Sequence, residues 1–204
     1  MQDTKTLLAK FMSLFAGVAL SGAVAAAPAA PNMTPQVSLK TTEGEIVLEL
    51  NQEKAPKSVA NFLSYVKSGH YKGTIFHRVI DGFMIQAGGY TQDLKSKPTK
   101  PPVASESQNG LKNETYSVAM ARTGDPNSAT AQFFINVVDN TGLDYPGQDG
   151  FGYTVFGKVV KGQEVVDKIK GVLVDDKGIF QNIPVKPIVI TSATVLKTPV
   201  AVTQ

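Results

Sequence analysis

The sequence predicts a mainly β domain, a closed eight-stranded antiparallel β-barrel capped by two α-helices. About eight stretches have the length and the apolar or alternating pattern of β-strands. Two other segments carry the apolar spacing of amphipathic helices. Short turns or irregular loops join these segments, and the strand–helix–strand alternation of a doubly wound sheet is absent. An antiparallel barrel with helices over its ends fits these observations.

The first predicted elements are a β-hairpin and a helix. Residues 37–41 and 45–50 alternate apolar and polar side chains on either side of Gly44, which is typical of a hairpin. Pro56 then opens a helix, at a position where a missing N–H is tolerated, and Gly69 ends it. The helix has one apolar stripe, spaced i, i+3, i+4 and i+7, formed by Val59, Phe62, Leu63 and Val66.

Six further strands and one further helix follow. The strands are predicted at residues 74–80, 84–87, 117–121, 133–137, 153–160 and 187–196. The second helix is predicted at residues 163–170, with Val165, Val166 and Ile169 facing inward. Residues 91–116 are rich in Lys, Ser, Asn and Pro and predict a long loop, a kind of segment that is often functional in compact domains.

The N-terminus predicts a cleaved secretory signal peptide at residues 1–27. Lys5 and Lys10 precede a short apolar core, and an alanine-rich stretch follows it. A membrane anchor is the alternative, but the apolar core is short and soon becomes rich in Gly, Ser and Ala. Residues 28–36 predict a linker, residues 37–197 the folded domain and residues 198–204 a tail. We therefore expect a secreted protein with no membrane attachment after cleavage.

Composition argues against several classes of function. The net charge is +3, from 20 basic and 17 acidic residues, and no Lys/Arg cluster indicates nucleic-acid binding. There is no cysteine, so the chain has no disulfide, no thiol catalysis and no Cys-based zinc site. Clustered metal ligands are also lacking. No coiled coil or exposed apolar helix is predicted, and we expect a monomer.

Nucleotide binding and hydrolase activity are also disfavoured. Residues 152–158 have the G-x-x-x-x-G-K spacing of a P-loop, but Val159 follows where Ser or Thr would hold magnesium, and strand-forming residues fill the spacing. The sequence has neither G-x-S-x-G nor H-E-x-x-H. A histidine-based triad would have to use His70 or His77, the only two histidines. We expect no cofactor and no metal.

Arg78 is unusual because it lies in the middle of an apolar segment. Strict alternation along a strand places Phe76, Arg78 and Ile80 on one face and His77 and Val79 on the other. An edge-strand arginine that points into solvent is the simpler interpretation. Whether Arg78 points into solvent or joins a site depends on which residues lie opposite it across the next turn.

Two turns are open at residues 81–83. A two-residue Asp-Gly turn would place Arg78 opposite Ile85, against apolar surface. A three-residue Asp-Gly-Phe turn would place Arg78 opposite Gln86 and Ile80 opposite Met84. We favour the second turn because it pairs two polar side chains.

Several segments resemble the cyclophilin family, in the same order along the chain. They are residues 76–89, 120–122, 129–135, 143–144 and 155–160. The resemblance covers roughly residues 37–196, and several motifs in fixed order are more specific than any one of them. The short loops and the signal peptide are similar to the bacterial, periplasmic branch, so we expect a periplasmic location.

The resemblance implies a peptidyl-prolyl cis-trans isomerase with its catalytic arginine at Arg78. The substrate-binding positions that it implies are Phe83, Met84, Gln86, Ala121, Arg122, Gln132, Phe134, Leu143 and Tyr153. Of these, the apolar residues would line a proline pocket, the two glutamines would bind the substrate backbone, and Ala121 and Arg122 would hold the preceding segment.

Three positions depart from the pattern of many eukaryotic members. Gly142 stands where they carry a tryptophan that grips cyclosporin, so the resemblance implies weak binding of that drug. Tyr153 replaces a histidine and can still supply an aromatic wall. Arg122 replaces an asparagine, which changes the side-chain chemistry at that position.

The expected activity is acceleration of rotation about X–Pro bonds of secreted or periplasmic polypeptides during folding. Such rotation cuts no bond, so it requires no nucleophile, and it faces a barrier of about 18–20 kcal/mol. The alternative is a binding protein and not an enzyme, whose groove binds proline-bearing segments without accelerating their rotation. A secreted hydrolase is disfavoured by the missing motifs.

Overall fold

A computed structural model describes residues 34–200 of the chain. The predicted signal peptide at residues 1–27 lies outside these residues, as do residues 28–33 of the predicted linker and residues 201–204 of the predicted tail. The elements, in chain order, are β1 (Gln36–Thr41), β2 (Gly44–Leu50), α1 (Pro56–Lys67), β3 (Thr74–Ile80), β4 (Met84–Thr91), β5 (Ser117–Met120), β6 (Phe133–Asn136), a 3-10 helix (Thr141–Leu143), β7 (Val155–Lys161), α2 (Gln163–Lys170), β8 (Val174–Lys177), β9 (Phe180–Pro184) and β10 (Ile190–Val195).

Eight strands form one antiparallel sheet, in the order β10-β1-β2-β7-β5-β6-β4-β3. Its two edge strands meet where the Gly73 N–H donates to the Ile190 carbonyl (2.8 Å) and the Phe76 N–H donates to the Ile188 carbonyl (3.0 Å). These bonds join the start of β3, and the residue before it, to the start of β10 and the residues leading into it, so the sheet nearly closes. The predicted eight-stranded antiparallel barrel is confirmed.

The interior of the barrel is filled by apolar side chains, and both helices pack onto it. Phe62 of α1 contacts the rings of Tyr71, Phe133 and Phe156, with centroids 5.1, 5.4 and 5.2 Å away. The α2 residues predicted to face inward, Val165, Val166 and Ile169, belong to the same buried cluster. The apolar spacing of each helix therefore identified its buried face correctly.

Helix α1 receives its N-terminal cap from the long loop between β4 and β5. Ala55, at the N-cap position, makes no side-chain bond to the helix. The Glu106 carboxylate instead accepts bonds from the backbone N–H groups of Lys57 (2.9 Å) and Ser58 (2.8 Å), and from the Ser58 hydroxyl (2.7 Å). The carboxylate satisfies N–H groups that have no partner within the helix, and its charge complements the helix dipole.

The region of β8 and β9 and the first residue of β1 differ from the sequence prediction. Strands β8 and β9 form a separate two-stranded sheet that we did not predict, because charged and exposed residues in β8 hide its strand pattern. Gln36, assigned to the linker, is the first residue of β1 and is buried. Its side chain exchanges two hydrogen bonds with the backbone of Val200, so the first residues of the predicted tail contact the start of β1.

No helix formed by residues 34–200 is long and apolar enough to span a membrane.

Candidate active site

The candidate site is built on the outer face of three neighbouring strands, β4, β6 and β5. Along β6, Phe133 and Ile135 point into the barrel core, and Phe134 between them packs in a separate cluster outside it. The same alternation on β4 places Met84 in that outer cluster. Gln86 of β4 lies opposite Phe134 in the sheet register. The two-residue period therefore brings apolar and amide side chains together on one outer face.

The turn between β3 and β4 gives Arg78 its partner. The register pairs Arg78 with Gln86, Val79 with Ile85 and Ile80 with Met84. This pairing requires the three-residue turn at residues 81–83, and that prediction is confirmed.

The predicted alternation along β3 is wrong at one point. Phe76 lies opposite Ala87 and Arg78 lies opposite Gln86, so His77 is an extra residue that forms a β-bulge. Phe76 and Val79 consequently belong to the barrel core, and Phe76 does not share a face with Arg78. The bulge shifts the alternation by one residue and places Arg78 at the outer face.

A cavity of about 100 Å³ opens on this face, and we call it the Arg78 cavity. Its lining residues are Arg78, Phe83, Met84, Gln86, Ala121, Arg122, Phe134, Leu143 and Tyr153. These are all of the predicted site residues except Gln132. Arg78 is half-buried, and its guanidinium has no hydrogen-bond or ion-pair partner among residues 34–200. Its donors are therefore available to a ligand in the cavity.

Gln132 does not line the cavity, but its side chain is hydrogen-bonded to Gln86, which does. The Gln86 amide Nε2 donates to Oε1 of Gln132 at 2.9 Å. Gly89 makes room for this pair, because a Cβ at that position would lie 2.7 Å from Cδ of Gln132. The pair fixes how the two amides point and leaves the remaining donor and acceptor positions for a peptide backbone.

Leu143 and Tyr153 form the wall opposite β4. The Tyr153 N–H donates to the Leu143 carbonyl at 2.8 Å, which ties together the two ends of the intervening loop. The Tyr153 ring packs edge-on against Phe134, with centroids 5.6 Å apart. Tyr153 was predicted as a strand residue, but β7 begins at Val155 and Tyr153 precedes it.

Arg122 holds this wall in place. Its side chain is only 4% exposed. Nε and Nη2 donate to the Gly152 carbonyl (3.1 and 2.7 Å), Nη1 donates to the Thr123 carbonyl (2.9 Å), and Nη2 pairs with Asp149. The guanidinium also stacks 4.2 Å from the centre of the Tyr153 ring. Bonding to Arg122, helped by two backbone N–H groups, lowers the pKa of Asp149 to about 2.

A buried amide network that we did not predict supports the cavity from below. Asn136 is fully buried, and its Nδ2 donates to Asn113 (3.2 Å) and Ser117 (2.8 Å). Asn140 donates to Asn136 (2.7 Å) and to the Phe83 carbonyl (2.8 Å). The only signal in the sequence was an asparagine at the end of the apolar run of β6, and its partners lie too far along the chain to be inferred.

His77 adjoins Arg78 but is buried, with its ring packed edge-on against Tyr90 at 4.8 Å. Burial, assisted by the charge of Arg78, lowers the pKa of His77 to about 4. The ring is therefore neutral at physiological pH. In the chain from residue 34 to residue 200, no group of three or more acidic or histidine side chains is arranged to hold a metal ion.

This arrangement places one cation without a partner among residues 34–200, Arg78, beside an apolar hollow that has two amide side chains at its edge. A guanidinium stays protonated near neutral pH and offers several donors in a fixed plane. The site can therefore hold an apolar ring, bind a peptide backbone and stabilise electron density that develops next to the ring.

Comparison with known proteins agrees with the fold and the site. The profile of the family described as "Cyclophilin type peptidyl-prolyl cis-trans isomerase/CLD" matches residues 36–195. The peptidyl-prolyl cis-trans isomerase cyp18 of Streptomyces antibioticus is 58% identical over 162 residues, which cover 78% of this chain and 98% of the relative. The peptidyl-prolyl cis-trans isomerase A of Dickeya dadantii is 52% identical over 194 residues, which cover 95% of this chain and 99% of the relative.

A solved structure shares the fold. The crystal structure of a cyclophilin-type isomerase from Cryptosporidium parvum superimposes with a TM-score of 0.68 at 28% sequence identity, over 82% of this chain and 100% of that one. The family profile covers most of the chain, and the relatives match it over nearly their whole length. The chain therefore belongs to the cyclophilin family and is a peptidyl-prolyl cis-trans isomerase.

Proposed function

We propose that Arg78 is the catalytic residue of this isomerase, and that it acts on a proline ring held in the Arg78 cavity. The observation that carries the proposal is that a half-buried arginine with no partner among residues 34–200 shares one cavity with Met84, Phe134 and Leu143. Two requirements of the reaction, an apolar hollow for the ring and a donor beside it, are met within that cavity.

The proposed mechanism is stabilisation of the twisted amide. Twisting the X–Pro bond breaks amide resonance and returns the lone pair to the proline nitrogen, which becomes pyramidal. A guanidinium directed at that nitrogen binds the twisted state more strongly than either planar isomer, and such differential binding lowers the barrier. Raising the rate from about 0.01 to about 1,000 per second requires lowering it by about 7 kcal/mol.

The remaining site residues bind and orient the substrate. We assign the ring to the apolar surface of Phe83, Met84, Phe134 and Leu143, with Tyr153 as the aromatic wall. We assign the flanking backbone to Gln86 and Gln132, whose amides supply a donor and an acceptor. Ala121 lines the same cavity and contacts the residues before the proline, and Arg122 contributes by holding the wall.

The proposed substrates are proline-containing polypeptides that fold in the periplasm, and the protein acts there as a monomer. The charged N-terminus, apolar core and alanine-rich exit at residues 1–27 support export and cleavage. Cyclosporin is proposed to bind weakly, because Gly142 offers no side chain at the position where the family grips the drug.

Turnover on a short peptide tests the proposed function. Exchange NMR on the tetrapeptide Ala-Ala-Pro-Phe, with the protein at a small fraction of the peptide concentration, should show a greatly increased cis–trans exchange rate. Shifted peptide resonances without faster exchange would indicate a protein that binds proline segments without isomerising them.

Fractionation tests the proposed location separately. The full chain, expressed in a bacterium with its own N-terminus, should appear in the periplasmic fraction with a new N-terminus near residue 28. Retention of residues 1–27 in the membrane fraction would contradict cleavage, whatever the activity.

A further inference from the structure

A second cavity, of about 530 Å³, is bordered by the loop at residues 144–152, which joins Leu143 to Tyr153. We call it the Phe151 cavity. It is lined by residues 105–109, Pro126, Asn127, Tyr145 and Phe151. None of these residues lines the Arg78 cavity.

Two exposed aromatic side chains border this cavity. Tyr145 is 44% exposed and Phe151 is 46% exposed. Both belong to the loop at residues 144–152, whose ends carry the wall of the Arg78 cavity. Large apolar side chains left partly in water beside a concave surface are typical of a binding site.

The loop that carries these aromatic residues is anchored. Arg122 holds it through Gly152 and Asp149, as described above. The base of the loop is tight, because a Cβ at Gly152, whose φ is +64°, would lie 2.7 Å from the backbone nitrogen of Tyr145. The two aromatic side chains are therefore presented from a fixed support.

The Phe151 cavity suits an uncharged side chain. Its lining includes no lysine or arginine, and its one carboxylate, Glu106, is committed to the N-terminus of α1. Asn127 and Asn109 are also engaged, since Asn127 accepts from the Ser105 N–H (3.0 Å) and Asn109 donates to the Val155 carbonyl (2.9 Å). What remains for a ligand is aromatic surface with neutral polar groups around it.

The two cavities are close enough for one polypeptide to reach both. Tyr145 follows Leu143 by two residues and Phe151 precedes Tyr153 by two residues, so at most about 7 Å of chain separates each aromatic residue from the wall. A client residue four positions from the proline lies up to about 13 Å away in an extended chain, which exceeds the length of chain between either aromatic residue and the wall.

From this we propose that the Phe151 cavity is a second subsite for the client polypeptide. It binds an aromatic side chain about four residues from the proline that occupies the Arg78 cavity. The inference rests on the proposed function, because its ligand is the same polypeptide. Tyr145 and Phe151 would then make the protein prefer long substrates that carry an aromatic residue, and assays with a tetrapeptide would not detect this preference.

Three twelve-residue peptides with a common Ala-Ala-Pro-Phe core test the proposal. One has no tryptophan, one has tryptophan four residues before the proline, and one has it four residues after. We expect kcat/KM for one tryptophan peptide to exceed that for the peptide without tryptophan by about 3- to 10-fold, as burial of part of an aromatic ring allows. Equal kcat/KM for all three peptides would overturn the proposal.

Removing the aromatic residues should abolish this preference. The double variant Tyr145→Ala, Phe151→Ala should lower kcat/KM for the preferred peptide to the level of the peptide without tryptophan, and leave kcat/KM for the tetrapeptide within about twofold of wild type. A matched control, Leu173→Ala with Ile179→Ala, removes side chains that are 77% and 90% exposed elsewhere and should retain the preference. A double variant that keeps the preference would contradict the assignment. Failure of the wild-type protein on the tetrapeptide would instead contradict the proposed function.

Two measurements keep the test decisive if the double variant folds poorly. In NMR titrations of the wild-type protein, the amide resonances of Ser107, Gln108 and Asn127 should shift with the preferred peptide and not with the tetrapeptide. Absence of those shifts would overturn the proposal. Analytical ultracentrifugation is the second measurement, and it should show a monomer. A dimer that Tyr145→Ala and Phe151→Ala disrupt would contradict the proposal, because the cavity would then bind a second copy of the chain and not the client.

Discussion

At the scale of single residues, two arginines of the same cavity differ in what their guanidinium groups contact. Every nitrogen of Arg122 donates to a neighbouring carbonyl or carboxylate, and the side chain is almost fully buried. Arg78 is half-buried and has no such partner within residues 34–200. The free donors of Arg78 suit it to a ligand, and the committed donors of Arg122 suit it to positioning the wall.

The resemblance implied that Arg122 holds the substrate segment before the proline, whereas its donors are bound to the protein's own backbone. The resemblance implied that both arginines belong to the site, and both line the Arg78 cavity. The partner of Arg122, however, is the carbonyl of Gly152, 30 residues further along the chain. Nothing in the local pattern around Arg122 indicates that contact.

Arg122→Met should loosen the wall of the Arg78 cavity. The substitution keeps apolar bulk but removes the bonds to Gly152, Thr123 and Asp149, so Tyr153 loses its stacking partner. We expect kcat/KM for the tetrapeptide to fall about tenfold, mainly through a higher KM, because a loosened wall holds the proline ring less tightly. A tenfold fall corresponds to a loss of about 1.4 kcal/mol of binding free energy.

Asp149→Asn is the companion variant for that experiment. Because Asp149 acts through Arg122, the variant that combines Arg122→Met with Asp149→Asn should have the same kcat/KM as Arg122→Met alone. Wild-type KM in Arg122→Met would contradict the positioning role.

At the scale of elements, periodicity predicted eight strands and two helices at nearly their observed bounds, because each buries a continuous apolar face. It failed where the pattern is broken by one inserted residue or hidden by charge. His77 inserts a bulge into β3, and the charged residues of β8 hide a hairpin. The bulge matters most, since it decides which face of the barrel Arg78 lies on.

The cap of α1 comes from a loop, and its removal should reduce stability. Glu106→Ala leaves the N–H groups of Lys57 and Ser58 without their acceptor. We expect the free energy of unfolding to fall by about 1–2 kcal/mol, the usual contribution of a helix N-cap, as measured by urea denaturation. Glu53→Ala, which removes an exposed carboxylate near the same helix, is the control and should have little effect.

Gly89 on β4 should control the position of Gln132. A methyl group there would displace the flexible end of the Gln132 side chain and separate it from Gln86. Gly89→Ala should therefore lower kcat/KM by about tenfold while changing the free energy of unfolding little, since a side chain can move where a backbone cannot. Gly124→Ala, where a Cβ meets no atom within 4 Å, is the matched control. Wild-type kcat/KM in Gly89→Ala would show that the position of Gln132 is unimportant.

At the scale of the whole molecule, the barrel supports the chemistry without taking part in it. Its core is filled by apolar side chains, and the Arg78 cavity lies on the outer face of the sheet. Alternation along β4 and β6 made that outer face predictable. The loop at residues 144–152, which joins the two residues of the wall, was not predictable. Its path is determined by hydrogen bonds to Arg122, which lies far away in the sequence, and it has no periodic pattern.

Acid should destabilise the folded protein through its histidines. Burial lowers the pKa of His70, and burial together with the Arg78 charge lowers the pKa of His77 to about 4. In the unfolded chain both histidines have a pKa of about 6.5, so the unfolded state binds more protons than the folded state as the pH falls below 6.5. The free energy of unfolding should therefore be highest above pH 6.5 and fall as pH drops toward 4. For His77 alone the loss is about 3 kcal/mol.

Urea denaturation from pH 7.5 to pH 4.5 measures this dependence. His77→Gln cannot take up the proton and should flatten the curve, whereas a curve as steep as that of the wild type would contradict the burial argument. Asp149 and the other carboxylates of lowered pKa add a further loss only at lower pH, because they keep their charge until the pH falls below their ordinary values.

The rate of prolyl isomerisation by Arg78→Ala decides whether the Arg78 guanidinium is the catalytic group. Exchange NMR on Ala-Ala-Pro-Phe gives kcat/KM for the variant and for wild type, and urea denaturation shows whether the variant is folded. We predict a loss of at least about 100-fold in kcat/KM, the usual effect of removing one donor that stabilises a transition state, with stability nearly unchanged because Arg78 makes no side-chain bond within residues 34–200. Wild-type kcat/KM in a folded Arg78→Ala protein would show that the Arg78 guanidinium is not the catalytic group.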